Sequence, residues 1–382
     1  MLEMAYIAGI GFSPAFIIYS SLIFLLSTAI IFIFNSGRPK AFPPGPRGLP
    51  VLGNLFQVDR AFPFRTFSAW AKDYGNDTPV GIKNGTTTFV VLNSSRLVRE
   101  LFDRRGAVYS DRPPQPLNSK WVFQKGLKAG FIAQNNSPWI TRWRRELNNN
   151  FGPAAISKLR PVYEAETARF LVKLLEAPTA RRVEMQDIIV RWTMSIPCLA
   201  VCGRRPDGMS DHGFEIKQFR KVSDEYVAVA SPKPRDSFPV LCYLPGSFGM
   251  AEWKERARLV RQALLKTGSQ LVSAGREQRA ALDAGKLVAW ESILAKILRE
   301  QREKDDHIFK LDEIGTPAFH IVSAAVSTSL AVFSTMLMIL AKSPKIQQRA
   351  RNEVLDVSRG AVPKATDIPN LKYIEAFWNE VG

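Results

Sequence analysis

The chain has 382 residues, 46% hydrophobic and 23% charged, which is enough apolar side chain for a packed core and excludes a disordered or low-complexity polymer. Lys and Arg number 52 against 35 Asp and Glu, a net charge of +17, so nucleic acid, an anionic membrane surface or an acidic protein partner must be weighed. Three cysteines (Cys198, Cys202, Cys242) and three histidines (His212, His307, His320) are too sparse for a disulfide scaffold or a zinc ribbon.

No charged residue falls between Met4 and Gly37. Within that stretch, Ala15–Phe34 matches the roughly 20 apolar residues a helix needs to cross a bilayer core. A cleaved signal peptide would carry a shorter apolar run behind a basic start, whereas the early charge here is Glu3. The expectation is therefore an uncleaved single-pass anchor over residues 15–34. Arg38 and Lys40 at its far end place residues 1–14 in the lumen and the rest in the cytosol. Residues 35–55 form a hinge in which Pro43, Pro44, Pro46 and Pro50 disfavour helix and strand. Composition leaves open whether this hinge is a semi-rigid spacer or a plain linker.

Further along, Phe62–Tyr74 has apolar residues at helical spacing and stops at Gly75. Val80–Lys83 and Thr86–Leu92 read as two strands around an Asn84-Gly85 hairpin turn. A capped helix is predicted from Asn93 to Phe102. Helices then dominate, predicted over Trp139–Phe151, Ala154–Leu175, Met185–Val201, Gly213–Val229, Ala251–Ala284, Trp290–Lys304, Thr316–Ala341 and Lys345–Val357. The segment Ser231–Pro245 is a proline-punctuated connection. Nothing between Glu313 and Lys342 is charged, yet His320, Ser323, Ser327, Thr328, Ser329, Ser334 and Thr335 lace the stretch with polar groups. That pattern predicts a buried helix of the globular body in preference to a second membrane span.

These elements and their motifs resemble a microsomal fungal cytochrome P-450, in the family's order over nearly the whole chain. Pro43–Asn54 (Pro-Pro-Gly-Pro-Arg-Gly-Leu-Pro-Val-Leu-Gly-Asn) is similar to the family's hinge and entry segment. Tyr109–Pro113 resembles the approach to its haem-contacting helix, and Trp143-Arg144 the start of that helix. Lys342–Val354 resembles the helix after the central one, and Asp367–Ala376 the lead-in to a glutamate–arginine helix. The resemblance implies a mainly α fold with a small β-sheet, bound haem, an NADPH-dependent flavoprotein reductase as electron donor and an endoplasmic reticulum membrane location. It further implies insertion of one oxygen atom into a lipophilic substrate of the secondary-metabolite class.

Residue by residue, Thr328 falls on the family threonine that assists oxygen activation. Ser327 stands where an acid is usual and Ala325 where glycine is usual. Without the resemblance, both hydroxyls would read as groups bonded back to the preceding turn. Trp143 matches a haem-propionate contact, but the basic partner four residues on is Leu147, which leaves Arg144 or Arg145 for that charge or for a solvated basic face. Glu380 falls on the glutamate of the glutamate–arginine pair. The family's cysteine loop is not found, so residues 56–382 read as a partial P-450 domain without its iron ligand. No activity is expected from these residues alone. The alternative is a non-catalytic relic or regulatory membrane protein, favoured by the changes at Ser327 and Leu147. Basic residues lie on dispersed helix faces without a recognition motif, so no nucleic-acid partner is expected. Sequons at Asn76, Asn84, Asn93 and Asn135 go unused if the body is cytosolic.

Overall fold

A computed structural model describes residues 14–35, 41–50, 52–85, 87–112, 121–123, 138–177, 182–207, 209, 214–231, 250–288, 290–304 and 313–381. The chain divides into two compact units, the first of residues 1–110 and 232–244, the second of residues 111–231 and 245–382.

The first unit begins with helix α1, Pro14–Asn35, 22 residues without a charge. At 1.5 Å per residue it is about 33 Å long, close to the thickness of a bilayer's hydrocarbon core. Ser27 Oγ donates to the Ile23 carbonyl and Thr28 Oγ1 to the Phe24 carbonyl, the latter at 2.6 Å. Helix α2, Pro63–Tyr74, starts with proline in its first turn and ends at Gly75, as its sequence predicts.

Strands β1 (Val80–Asn84) and β2 (Thr87–Val91) pair antiparallel, with Ile82 opposite Phe89. Gly85 supplies the left-handed conformation that the turn requires, at φ 59°. The proline-rich segment lies along β1, where Gly81 N donates to the Pro44 carbonyl at 2.8 Å. Buried Asn54 fastens it: its Oδ1 accepts from Lys83 N at 2.9 Å and its Nδ2 donates to the Pro46 carbonyl at 3.2 Å. A Cβ on Gly53 would stand 1.9 Å from the Lys83 carbonyl oxygen, so only glycine passes there. Residues 43–50 and 52–54 are thus pinned to the hairpin, which an unattached linker would not be.

The predicted helix from Asn93 is shorter than expected. Its cap is Ser94, whose Oγ accepts from Leu97 N at 3.3 Å, and α3 covers only Ser95–Val98. The backbone then widens into a π-helical turn, Arg99–Arg104, before the short α4, Gly106–Tyr109.

The second unit holds α5 (Pro138–Phe151), α6 (Pro153–Glu176), α7 (Arg182–Cys202), α8 (Ile216–Ala230), α9 (Met250–Asp283), α10 (Ile293–Lys304), α11 (Gly315–Lys342) and α12 (Pro344–Ser358). A 3₁₀ turn, Ala365–Asn370, leads into α13, Lys372–Val381. Helix α10 starts three residues later than its periodicity predicts, because the Ser292 hydroxyl accepts from Ala295 N at 3.2 Å and fixes the first turn. The N-terminus of α13 is closed by Glu353 of α12, whose carboxylate accepts from Tyr373 N and Ile374 N at 2.7 and 2.9 Å.

Helix α11 is the centre of this unit and packs chiefly on α7 and α9. Its crossing with α9 brings Gly268 and Gly315 into backbone contact, and a Cβ on Gly268 would lie 2.7 Å from the Gly315 carbonyl carbon. Gly268→Ala is therefore expected to destabilise the chain by about 1–3 kcal/mol through overpacking. Urea denaturation at constant slope measures this, and a loss under half a kilocalorie would show that the helices part without strain.

Full burial of α11 does not hold. Gly315–Ser323 and Val326 are buried, whereas Ala324, Ser327, Thr328 and Ala331 are exposed. Among the described residues, α8 and α9 meet its N-terminal half through the Ser223–Ser323 hydroxyls and the Gly268–Gly315 crossing. Beyond it, Phe333 packs edge-on against Trp192 of α7 at 4.5 Å and Phe170 of α6 at 6.4 Å, and α12 and α13 also touch the helix.

Candidate functional site

Helical spacing places His320, Ala324, Ser327 and Ala331 on one stripe of α11, with Thr328 beside it. The stripe opens at Ala324 and presents small side chains and two hydroxyls. Thr328 Oγ1 donates to the Ala324 carbonyl at 2.8 Å, the bond to the preceding turn that any buried-helix threonine makes, while its side chain is exposed. Ser327 lines a cavity of about 160 Å³ with Val326 and Leu330 of its own helix and Phe219, Arg220, Ser223 and Asp224 of α8.

Towards its N-terminus the stripe closes. Ser323 and Ser223 share a hydrogen bond between buried hydroxyls, 100 residues apart in sequence. One turn earlier lies His320, 1% exposed, with its ring 4.8 Å from Tyr226, 5.7 Å from Phe319 and 6.3 Å from Phe123. Burial lowers its pKa to about 4 and raises that of Tyr226 to about 12, so both side chains are neutral at cellular pH. Sequence reasoning places His320 in the core but misses the hydroxyl pair and the aromatic ring around it. No local pattern marks either, since their partners come from α8.

The other predicted residues stand elsewhere. Trp143 on α5 is fully buried, its ring 6.0 Å from that of Trp139. Arg144 and Arg145 beside it are exposed, while Arg142 bridges Glu146 at 3.0 Å and Glu300 of α10 at 2.8 Å. Helix α5 packs on α6, so Trp143 and Thr328 sit on helices with different main neighbours. Glu380 is exposed in the last turn of α13. Cys198 and Cys202 are fully buried one turn apart on α7, and burial pushes the Cys198 thiol well above its ordinary range. Cys242 and Asn135 lie outside the described residues. Of the other sequons, Asn93 has its Nδ2, the atom a glycan would take, buried.

The sequence pattern of the cytochrome P450 family matches residues 43–381. The chain belongs to the cytochrome P450 family. It is 67% identical over 378 residues to Cytochrome P450 monooxygenase grgG of Penicillium sp., covering 99% of this chain and 68% of that relative. It is 28% identical to Cytochrome P450 monooxygenase yanC of Aspergillus niger, over 91% of this chain and 63% of the relative, and 24% identical to Cytochrome P450 monooxygenase 105 of Postia placenta, over 97% and 68%. The chain thus spans about two thirds of the length of these P450 relatives.

Membership of the P450 family implies haem, and the described residues fit one side of that group. Ala324, Thr328 and Ala331 form a flat, uncharged, exposed face suited to an apolar ring, with one hydroxyl on it. The exposed guanidiniums of Arg144 and Arg145 are of the type that pairs with propionate carboxylates. A thiolate iron ligand is not offered among the described residues, because both described cysteines are sealed within α7.

Proposed function

We propose that the polypeptide to which these residues belong is a membrane-anchored haem monooxygenase that oxidises a lipophilic secondary metabolite. Helix α1 would be its single span in the endoplasmic reticulum membrane, with residues 1–14 lumenal, 35–55 as hinge and the body cytosolic. An NADPH-dependent flavoprotein reductase would supply electrons. The observation that carries this reading is the open, uncharged face of α11 with the Thr328 hydroxyl on it, in a chain matching the P450 family from residue 43 to residue 381.

When bound, haem would supply the oxygen activation needed to put one oxygen atom into a C–H bond. This chain's own residues take the surrounding roles. Thr328 can both donate and accept a hydrogen bond at Oγ1, and so can pass a proton once it releases the Ala324 carbonyl. Ser327 cannot ionise at neutral pH, so proton transfer at that position must run through water in the adjoining cavity. Trp143 and Arg144 would hold the haem propionates, the indole through its N–H and the guanidinium by charge. Phe219 of α8 with Val326 and Leu330 of α11 would supply the apolar part of the cavity beside Ser327.

A second reading, a non-catalytic relic or regulatory membrane protein, is favoured by Ser327 and Leu147 in place of the acid and the basic residue. Two samples separate the readings: the 382-residue polypeptide, and a chimera joining it to the remaining C-terminal third of the Penicillium relative. After reconstitution with haem and reduction under carbon monoxide, the 382 residues alone are expected to give no thiolate-type Soret band. The chimera is expected to give one and to consume dioxygen with NADPH and reductase. A thiolate band from the 382 residues would overturn the inactivity expectation. A chimera without one would favour the relic.

A further inference from the structure

Ser327 stands where an acid is usual, yet a carboxylate lines the same cavity from another helix. That carboxylate is Asp224 of α8, which borders the space of about 160 Å³ together with Arg220, Ser223 and Ser327. A space of that size holds several waters, since one water takes about 30 Å³ of liquid. Asp224 and Arg220 also line a wider, open groove of about 360 Å³, shared with Asp187 of α7 and with Lys217, Lys221 and Glu225 of α8. These two residues are common to both spaces and so stand between the Ser327 cavity and solvent. The polar side chains around the cavity differ in what they can do with a proton. Ser223 is committed to Ser323 by the hydrogen bond between their buried hydroxyls. Arg220 is a permanent cation and does not release a proton. Asp224 is exposed and forms no ion pair or hydrogen bond among the described residues. The other carboxylates of the groove are engaged, Glu225 with Arg256 at 2.7 Å and Asp187 with Lys217 at 3.9 Å.

We propose that Asp224 of α8 supplies protons to the Ser327 cavity in place of the acid that α11 lacks. Its carboxylate takes a proton from water in the outer groove on one oxygen and releases one to a cavity water. That water, held by the Ser327 hydroxyl, delivers a proton to the open face of α11 that bears Thr328. Asp224 returns to the carboxylate each time, so one proton crosses and nothing is oxidised or reduced. The delivery role rests on the monooxygenase reading; the place of the carboxylate on the cavity wall does not.

The first test needs no haem. In the 382-residue chain carrying Cys242→Ser, the substitution Ser327→Cys puts a thiol on the cavity wall, and its alkylation by iodoacetamide is followed against pH. Cys198 and Cys202 are buried and stay silent. A carboxylate on the same cavity disfavours the thiolate, so Asp224→Asn is expected to lower the apparent pKa of that thiol by about half a unit, and Asp224→Glu to leave it in place. An unchanged value in Asp224→Asn would show that the carboxylate does not act at position 327 and would overturn the proposal. The second test uses the haem-loaded chimera. There Asp224→Asn is expected to slow NADPH-driven dioxygen consumption about a hundredfold, the lower end for general acid–base catalysis, and to enlarge its solvent deuterium isotope effect with the carbon monoxide band unchanged. Ser327→Asp returns an acid to α11 and is expected to restore the rate in the Asp224→Asn background, a rescue that no packing role produces. A rate insensitive to Asp224, or a loss that Ser327→Asp does not repair, would overturn the relay. A wild-type chimera without the thiolate band would instead remove the monooxygenase reading, and the relay with it.

Discussion

Arg205→Ala is expected to destabilise the chain by about 3 kcal/mol, more than a surface ion pair is worth. The reason lies in its partner. Glu166 on α6 has a side chain only 1% exposed, and its carboxylate is paired with the Arg205 guanidinium that follows α7. Removing the arginine leaves a buried carboxylate without its counter-charge, and breaking a buried pair from one side costs about 3–5 kcal/mol. The lower end applies because the Arg205 side chain is 41% exposed and water screens part of the interaction. The double variant Glu166→Leu with Arg205→Ala removes the stranded charge as well and is expected to recover most of the loss. Urea denaturation of wild type, single and double variants reads this out. A single variant within 1 kcal/mol of wild type would mean that the carboxylate finds water or another partner.

The second large effect is a pH dependence from His320. Its pKa is about 4 in the folded chain against an ordinary 6.5, because burial among Phe123, Phe319 and Tyr226 disfavours the charged ring. Above pH 6.5 the ring is neutral in both states and contributes no pH slope. Between pH 6.5 and 4 the unfolded chain takes up a proton that the folded chain refuses, so stability falls as pH falls. The shift corresponds to about 3 kcal/mol lost across that window. His320→Gln removes this part of the slope. Unfolding free energies of wild type and variant at pH 7 and pH 4 are expected to differ in their pH dependence by that amount. Parallel slopes would mean that the ring is protonated within the fold.

Much of the fold was legible because it is written in local pattern. The uncharged run at 15–34 is a helix, Pro14–Asn35, since twenty apolar residues in series satisfy their backbone groups most simply that way. Asn84-Gly85 marks the hairpin because the turn needs a left-handed residue and Gly85 supplies one. Helices such as Pro138–Phe151 and Pro344–Ser358 begin and end within one or two residues of their periodicity. Where local reading faltered, a single side chain decided: Ser94 in place of Asn93 caps α3, and Ser292 delays the start of α10.

The sequence by itself determined the helical class, the hairpin, the family and the identity of Thr328 and Trp143 as candidates, because apolar periodicity, turn chemistry and ordered motifs are properties of neighbouring residues. Only the tertiary structure decided that α11 is buried for half its length and open at Ala324, Thr328 and Ala331. It alone joined Glu166 to Arg205 across 39 residues, Ser223 to Ser323 across 100, and Gly268 to Gly315 at a helix crossing. Each of these depends on which helix covers which face. That is set by side chains far apart in the chain competing for the same space, and no local spacing records the outcome.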